Sequence, residues 1–195
     1  AVKGKEIATK SDHSDAGFTS SEAEMLMILE NEYGETSERE LRQKVLEMPG
    51  DDVGDKSLIV FDRPRDVEGT SLLTHAKILE PDDQWMFLPA VKRVKRISSA
   101  NKSGPFMGSE FAFEDFSSQE VGKYSYKWLR DEPCPEPVAD RTCHVVERYP
   151  LYENSGYTRQ IGWTDDVDFQ TRKIEFYNRR DALLKTLTLN DYQLY

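Results

Sequence analysis

SSEAEMLMILENEYGETSERELRQKVLEM, residues 20–48, decides the fold class because it reads two ways. Its Ala, Glu, Leu and Met are good helix formers. Yet Ala23, Met25, Met27 and Leu29 fall on every second position, the period of a strand with one buried face. NEYGE, at 31–35, resembles the turn of a hairpin. The residues alone leave both readings open.

Working outward, GKEIATKSDHSDAGF at 4–18 predicts a short N-terminal helix that ends near Gly17. Downstream the pattern is strand-like. KSLIVFD, SLLTHAKIL, QWMFLP, VKRVKRI, KYSYKWLR, RTCHVVERY, YTRQIGWT, RKIEFYN and LLKTLTLN are short, rich in β-branched and aromatic residues, and separated by Gly, Pro, Asp and Asn. DDVDFQT and NRRDA are connections tight enough for hairpins. No strand–helix alternation signals a parallel sheet, so we expect an antiparallel meander. A sheet of nine or more strands curls, and its inner face must be filled by side chains, a helix or a ligand.

The 195 residues predict one domain, 1–195, able to bury roughly 70% of the surface its unfolded chain exposes. With 36 acidic against 26 basic residues the net charge is −10, which repels nucleic acid. The longest mainly apolar run, Trp85 to Val91, is far short of the roughly 20 residues that cross a bilayer as a helix. No leader opens the sequence, so a signal peptide is either absent or already removed, and a start at AVKGKE rather than Met favours removal or a trimmed chain. Cys134 and Cys143 flank a loop restricted by Pro135 and Pro137. We favour a disulfide, and hence an oxidising compartment, over two unrelated buried thiols. Zinc would need two further ligands where only His144 is near.

Catalytic motifs are missing. His13, His75 and His144 form no HExxH, nucleophile elbow or evident triad, and there is no glycine-rich phosphate loop. PGDDVGD at 49–55 and TDDVD at 164–168 read as turns, because neither has the distal Glu of a calcium loop. Glu110, Glu114 and Asp115 suit a helix start or an exposed loop better than an acid–base pair. We therefore expect no metal, no cofactor and no enzyme activity.

DDQWMFLPAVKRVKRI, at 82–97, is the stretch closest to a functional signal. As a strand, QWMFLP is apolar on both faces, with Trp85 and Phe87 on one and Met86 and Leu88 on the other. The following VKRVKRI has cations on both, so the strand should leave the core for a rim or an edge, where cations also discourage edge pairing. An apolar pocket bordered by Lys92, Arg93, Lys95 and Arg96 would suit a ligand with hydrocarbon and anionic ends. Phe106, Met107, Phe111, Phe113 and Phe116 follow in the glycine-punctuated SGPFMGSEFAFEDF, either a mobile flap or core packing.

Together these two central stretches, with EAEMLMIL, GDKSLIVFDRPRDVEGTSLLTH and SGYTRQIGWTDDVDFQTRKIEFYNRRDALLKTL, resemble the outer membrane lipoprotein-sorting protein family, relatives of the periplasmic carrier LolA. The resemblance spans most of the chain. It implies a curved antiparallel sheet forming an incomplete barrel with an apolar cavity covered by short helices or loops, and it turns EAEMLMIL and ELRQKVLE into a strand hairpin. It further implies a periplasmic protein that carries a lipid or acylated lipoprotein with only peripheral membrane contact, alongside an RND-type inner-membrane permease. More strands are expected after NDYQLY, and an open edge at 183–195 could pair with another copy. Trp85, Phe87, Phe106, Met107, Phe111 and Phe113 are nominated for the cavity or its lid, and Tyr124, Tyr126 and Trp128 after them. The alternative is an envelope sensor or interaction module on the same fold.

Overall fold

In the computed structural model, which describes residues 1–49 and 53–193, the ambiguous stretch is a hairpin of β1 (Ser20–Glu30) and β2 (Thr36–Leu46). Asn31 makes the turn, its Oδ1 accepting the Tyr33 and Glu35 amides at 3.0 Å each, and Gly34 takes the positive φ of 77° that the reversal needs. The pleat sorts the side chains as the alternation predicts. Met25 and Met27 face the core while Leu26 and Ile28 remain exposed.

Each of the nine downstream segments also forms a strand: β3 (Lys56–Arg63), β4 (Ser71–His75), β5 (Asp83–Leu88), β6 (Arg93–Ile97), β7 (Tyr124–Pro133), β8 (Thr142–Pro150), β9 (Tyr157–Asp165), β10 (Thr171–Asn178) and β11 (Leu183–Thr188). The expected mainly β, antiparallel fold is therefore present, with its strands divided between two sheets that do not close into a barrel. One runs β1-β2-β3-β4-β5-β6 and the other β11-β10-β9-β8-β7. The helix, α1, spans Val2–Ser14, stopping three residues before the expected glycine. Contacts gather in two compact units, residues 17–118 and residues 1–16 with 119–195.

Within residues 17–118, Leu41, Ile59, Phe61 and Leu72 make the core face of the six-stranded sheet. The glycine-punctuated segment packs against them. Phe106 is fully buried, with ring centroids 5.8 Å from Phe61, 5.6 Å from Phe113 and 4.5 Å from Phe116. Gln84 holds the segment by donating Nε2 to the Phe113 carbonyl at 3.0 Å, and Arg39 donates to the Met107 carbonyl. Of the two sequence readings, flap or core packing, the contacts are those of core packing. Asp115 works at a short 3-10 turn, Phe113–Phe116, accepting the Ala112 amide at 2.7 Å.

Within the second unit, α1 lies on one face of the five-stranded sheet. Gly4 permits the approach, since a Cβ there would stand 2.9 Å from the Trp128 backbone nitrogen. Ile7 packs with Tyr124, Tyr126 and Val146, and Lys3 sits 3.9 Å over the Trp128 ring while pairing with Asp131 at 3.0 Å. Behind the sheet, Cys134 and Cys143 form the expected disulfide and pack with Val145 and Trp163. TDDVD closes the β9–β10 connection as a turn: Asp165 Oδ1 accepts the Val167 and Asp168 amides at 3.0 and 2.9 Å, and Oδ2 takes Arg172 Nε at 2.7 Å. Gly50, Asp51 and Asp52 of the other acidic cluster lie outside the described residues.

Candidate functional site: a cavity beneath α1

The strand register decides which side chains meet the helix. Tyr126 pairs with Arg148, Trp128 with Val146, Val146 with Gly162, Arg148 with Gln160 and Gly162 with Ile174, so these positions share one face of the sheet. Between that face and α1 is a cavity of about 300 Å³, at the lower end of the roughly 300–1,000 Å³ typical of small-molecule pockets. Ile7 and Ala8 of α1, with Val121, Val146, Ile174 and Leu189, make its apolar wall. Gly162 keeps the floor open. A Cβ there would come no nearer than 4.0 Å to a heavy atom, the Val146 carbonyl oxygen, so the glycine leaves volume that most side chains would fill.

Several polar lining groups are held in place by hydrogen bonds. Arg148 donates Nε to Gln160 Oε1 at 2.7 Å and Nη2 to Gln119 Oε1 at 2.9 Å, and its guanidinium lies 4.6 Å from the Tyr124 ring centroid. Tyr126 donates its hydroxyl to the Val121 carbonyl at 3.2 Å. Burial pushes its pKa up to about 12, with Tyr124 and Asp12 adding to the rise and Arg148 opposing it, so the phenol is neutral at physiological pH. Asp12 and Asp15 line the helix side, Asp15 accepting Gln170 Nε2 at 3.0 Å. Tyr192 closes one end, donating its hydroxyl to the Thr171 carbonyl at 2.7 Å.

Of the nominated residues, Tyr126 lines this cavity. Tyr124 is buried behind Arg148, and Trp128 is occupied by Lys3 and by Asp131, to which its Nε1 donates at 2.9 Å. The other six belong to residues 17–118. Phe106 is fully buried within the core cluster of that unit, and Met107, Phe111 and Phe113 are partly buried against the same cluster. Trp85 and Phe87 point away from that core. They share the outer sheet face with Leu73 and Val94, and Phe87 is 38% exposed. β6 is an edge strand with Lys92, Arg93, Lys95 and Arg96 all exposed. Arg96 pairs with Asp83, whereas no described carboxylate lies within ion-pair distance of Lys92, Arg93 or Lys95.

Sequence reading missed Ile7, Arg148, Gly162, Ile174 and Leu189. The available signal was the lone glycine inside YTRQIGWT, since an isolated glycine in a strand marks a bulge or a space something else occupies. Nothing local linked it to the N-terminal helix.

Comparison with solved structures agrees with this architecture. The chain superimposes with a TM-score of 0.93 on a crystal structure described as an outer membrane lipoprotein-sorting protein domain from Vibrio parahaemolyticus, at 50% identity over 100% of this chain and 80% of that one. The chain belongs to the outer membrane lipoprotein-sorting protein family. A DUF1329 family protein from Desulfovibrio piger is 30% identical over 93% of this chain and 75% of its own, with a TM-score of 0.84. A LolA superfamily protein from Nitrosomonas europaea, 22% identical with a TM-score of 0.70 over 98% of this chain and 79% of its own, shares the fold. A family model described as "Uncharacterized protein" matches residues 54–195, and no curated protein matches the chain.

Proposed function

We propose that the protein is a periplasmic carrier that holds an acyl chain in the cavity beneath α1 and moves it between envelope membranes. The observation that carries this reading is the cavity itself: an apolar wall of strand and helix side chains over a floor left open by Gly162. Burying hydrocarbon there contributes about 0.8 kcal/mol per CH₂, enough for useful affinity with little polar chemistry. The disulfide suits an oxidising compartment such as the periplasm. From the family resemblance we infer an RND-type inner-membrane permease as the partner; its recovery with the protein from detergent-solubilised membranes is the expected result. Lys92, Arg93 and Lys95 on the β5–β6 hairpin supply unpaired cations for peripheral contact with an anionic lipid surface.

The decisive experiment is a native mass spectrum of protein purified in the presence of cell membranes, followed by organic extraction. We expect one lipid or fatty acid per chain, lost in Gly162→Leu while the fold persists. Protein of bare mass that also refuses a fluorescent acyl probe would sink the carrier reading. The interaction-module reading would then take its place, supported by the filled interior around Phe106 and the exposed Phe87 and Val94.

A further inference from the structure

Among the described residues the cavity wall contains a single cation, Arg148, and its surroundings are unusual for a half-buried guanidinium. The other arginines of the same unit that are at least partly buried, and Arg130, are neutralised, Arg172 and Arg141 by Asp165 and Asp168, Arg159 by Glu147 and Asp181, Arg130 by Glu132, whereas Arg179 and Arg180 are exposed to solvent. Arg148 has no carboxylate within ion-pair distance among the described residues. Its hydrogen bonds go to the amide oxygens of Gln160 and Gln119, neutral acceptors that position the group without cancelling its charge. A guanidinium has five N–H donors, so three are left after these two bonds. The Tyr124 ring, its centroid 4.6 Å from the guanidinium carbon, and Gln160 on the neighbouring strand fix its orientation, which lowers the ordering cost of a two-pronged contact with an oxyanion.

We propose that the cavity takes a single-chain amphiphile with an anionic head, the head on Arg148 and the chain along Val146, Gly162, Ile174 and Leu189. This deepens the carrier reading and rests on it. A cavity of about 300 Å³ accommodates one chain, not the several chains of a lipoprotein anchor together. The head lies on the sheet side, because Asp12 and Asp15 on the helix side repel an anion. The same two aspartates define the competing outcome, a cationic head. The anion is a carboxylate or a phosphate monoester, since both accept a guanidinium fork.

The test is calorimetric titration of the full chain, below micellar concentrations, with laurate, a twelve-carbon lysophosphatidate, neutral monolaurin and dodecyltrimethylammonium. We expect one site per chain, with laurate or lysophosphatidate, or both, binding about tenfold more tightly than monolaurin, the usual worth of a charge-assisted hydrogen bond. Whichever of the two binds more tightly identifies the anion. Arg148→Gln should remove that margin by weakening the anionic ligands far more than monolaurin, and Arg148→Lys should restore part of it. Gly162→Leu should abolish all binding. Anionic and neutral ligands that bind equally to the wild type, or a tighter cationic ligand, would overturn the head assignment while leaving the carrier reading intact. Anion preference that survives Gly162→Leu would overturn the site. No binding by any of the four would overturn both readings together. The headgroup series on the wild-type protein decides the matter even where an Arg148 variant fails to fold.

Discussion

Asp165 is fully buried yet ionised. Burial by itself would raise its pKa, but hydrogen bonding with Asp168, through side chain and backbone, then the Arg172 guanidinium and the Val167 amide outweigh that and hold it well below the ordinary carboxylate range. Asp131 is lowered in the same sense, burial opposing and His144, Trp128 and Lys3 prevailing. A carboxylate depressed by folding contributes stability that is complete above its unfolded value, about 3.9 for Asp, and that is lost as pH falls through the folded one. We therefore expect the urea midpoint to hold from neutral pH down to about pH 4 and to drop below it. Asp165→Asn should cost about 1.5–3 kcal/mol at neutral pH, because the buried Arg172 loses one of its two carboxylate partners and keeps only Asp168, and should blunt the acid loss. Reducing the Cys134–Cys143 bridge should cost about 2.5 to 3 kcal/mol for so short a loop, read from the same denaturation. Phe106→Ala should cost about 3–5 kcal/mol. Ligand affinity in the soluble fraction should be unchanged if Phe106 is core, whereas selective loss of affinity at full stability would return it to a lid role.

At the scale of the element, α1 is held on its sheet by an absence. Gly4→Val puts two methyl groups where a Cβ is already 2.9 Å from backbone, and backbone cannot yield as a flexible side chain does. The helix must lift, so we expect weakened acyl-probe binding and faster amide exchange at 2–14, with the strands of residues 17–118 unaffected. Unchanged exchange in α1 would refute this packing. Why the strands were legible and the site was not follows from range. Met25, Met27 and Leu29 report their face through a local two-residue period, and the turn chemistry of Asn31 and Gly34 is equally local. Arg148 meets Gln119 and Gln160 only because β8 pairs with β9 in one particular register, and a shift by one residue would turn Arg148 to the other face.

For the whole molecule, the net charge of −10 conceals a cationic hairpin. Lys92, Arg93 and Lys95 lack carboxylate partners within 4 Å and should each contribute about 1 kcal/mol near an anionic bilayer. Replacing all three by Gln should reduce sedimentation with phosphatidylglycerol vesicles by about a hundredfold in affinity and leave phosphatidylcholine unaffected. The wild-type preference should fade as salt shortens the screening length below about 10 Å. Equal loss on both vesicles would assign the hairpin to packing instead.

The amino-acid sequence by itself determined the nine downstream strands, their antiparallel order, the short N-terminal helix and a cysteine pair close enough to bridge, because hydrophobic period, turn residues and loop length act over a few positions, whereas residues 20–48 needed the family resemblance to be read as a hairpin. Tertiary structure decided how the strands divide into two sheets, that Phe106 fills a core, and that Ile7, Arg148, Gly162 and Leu189 converge on one cavity. Those outcomes depend on register and on which distant surfaces exclude water together, and no local window of sequence contains them.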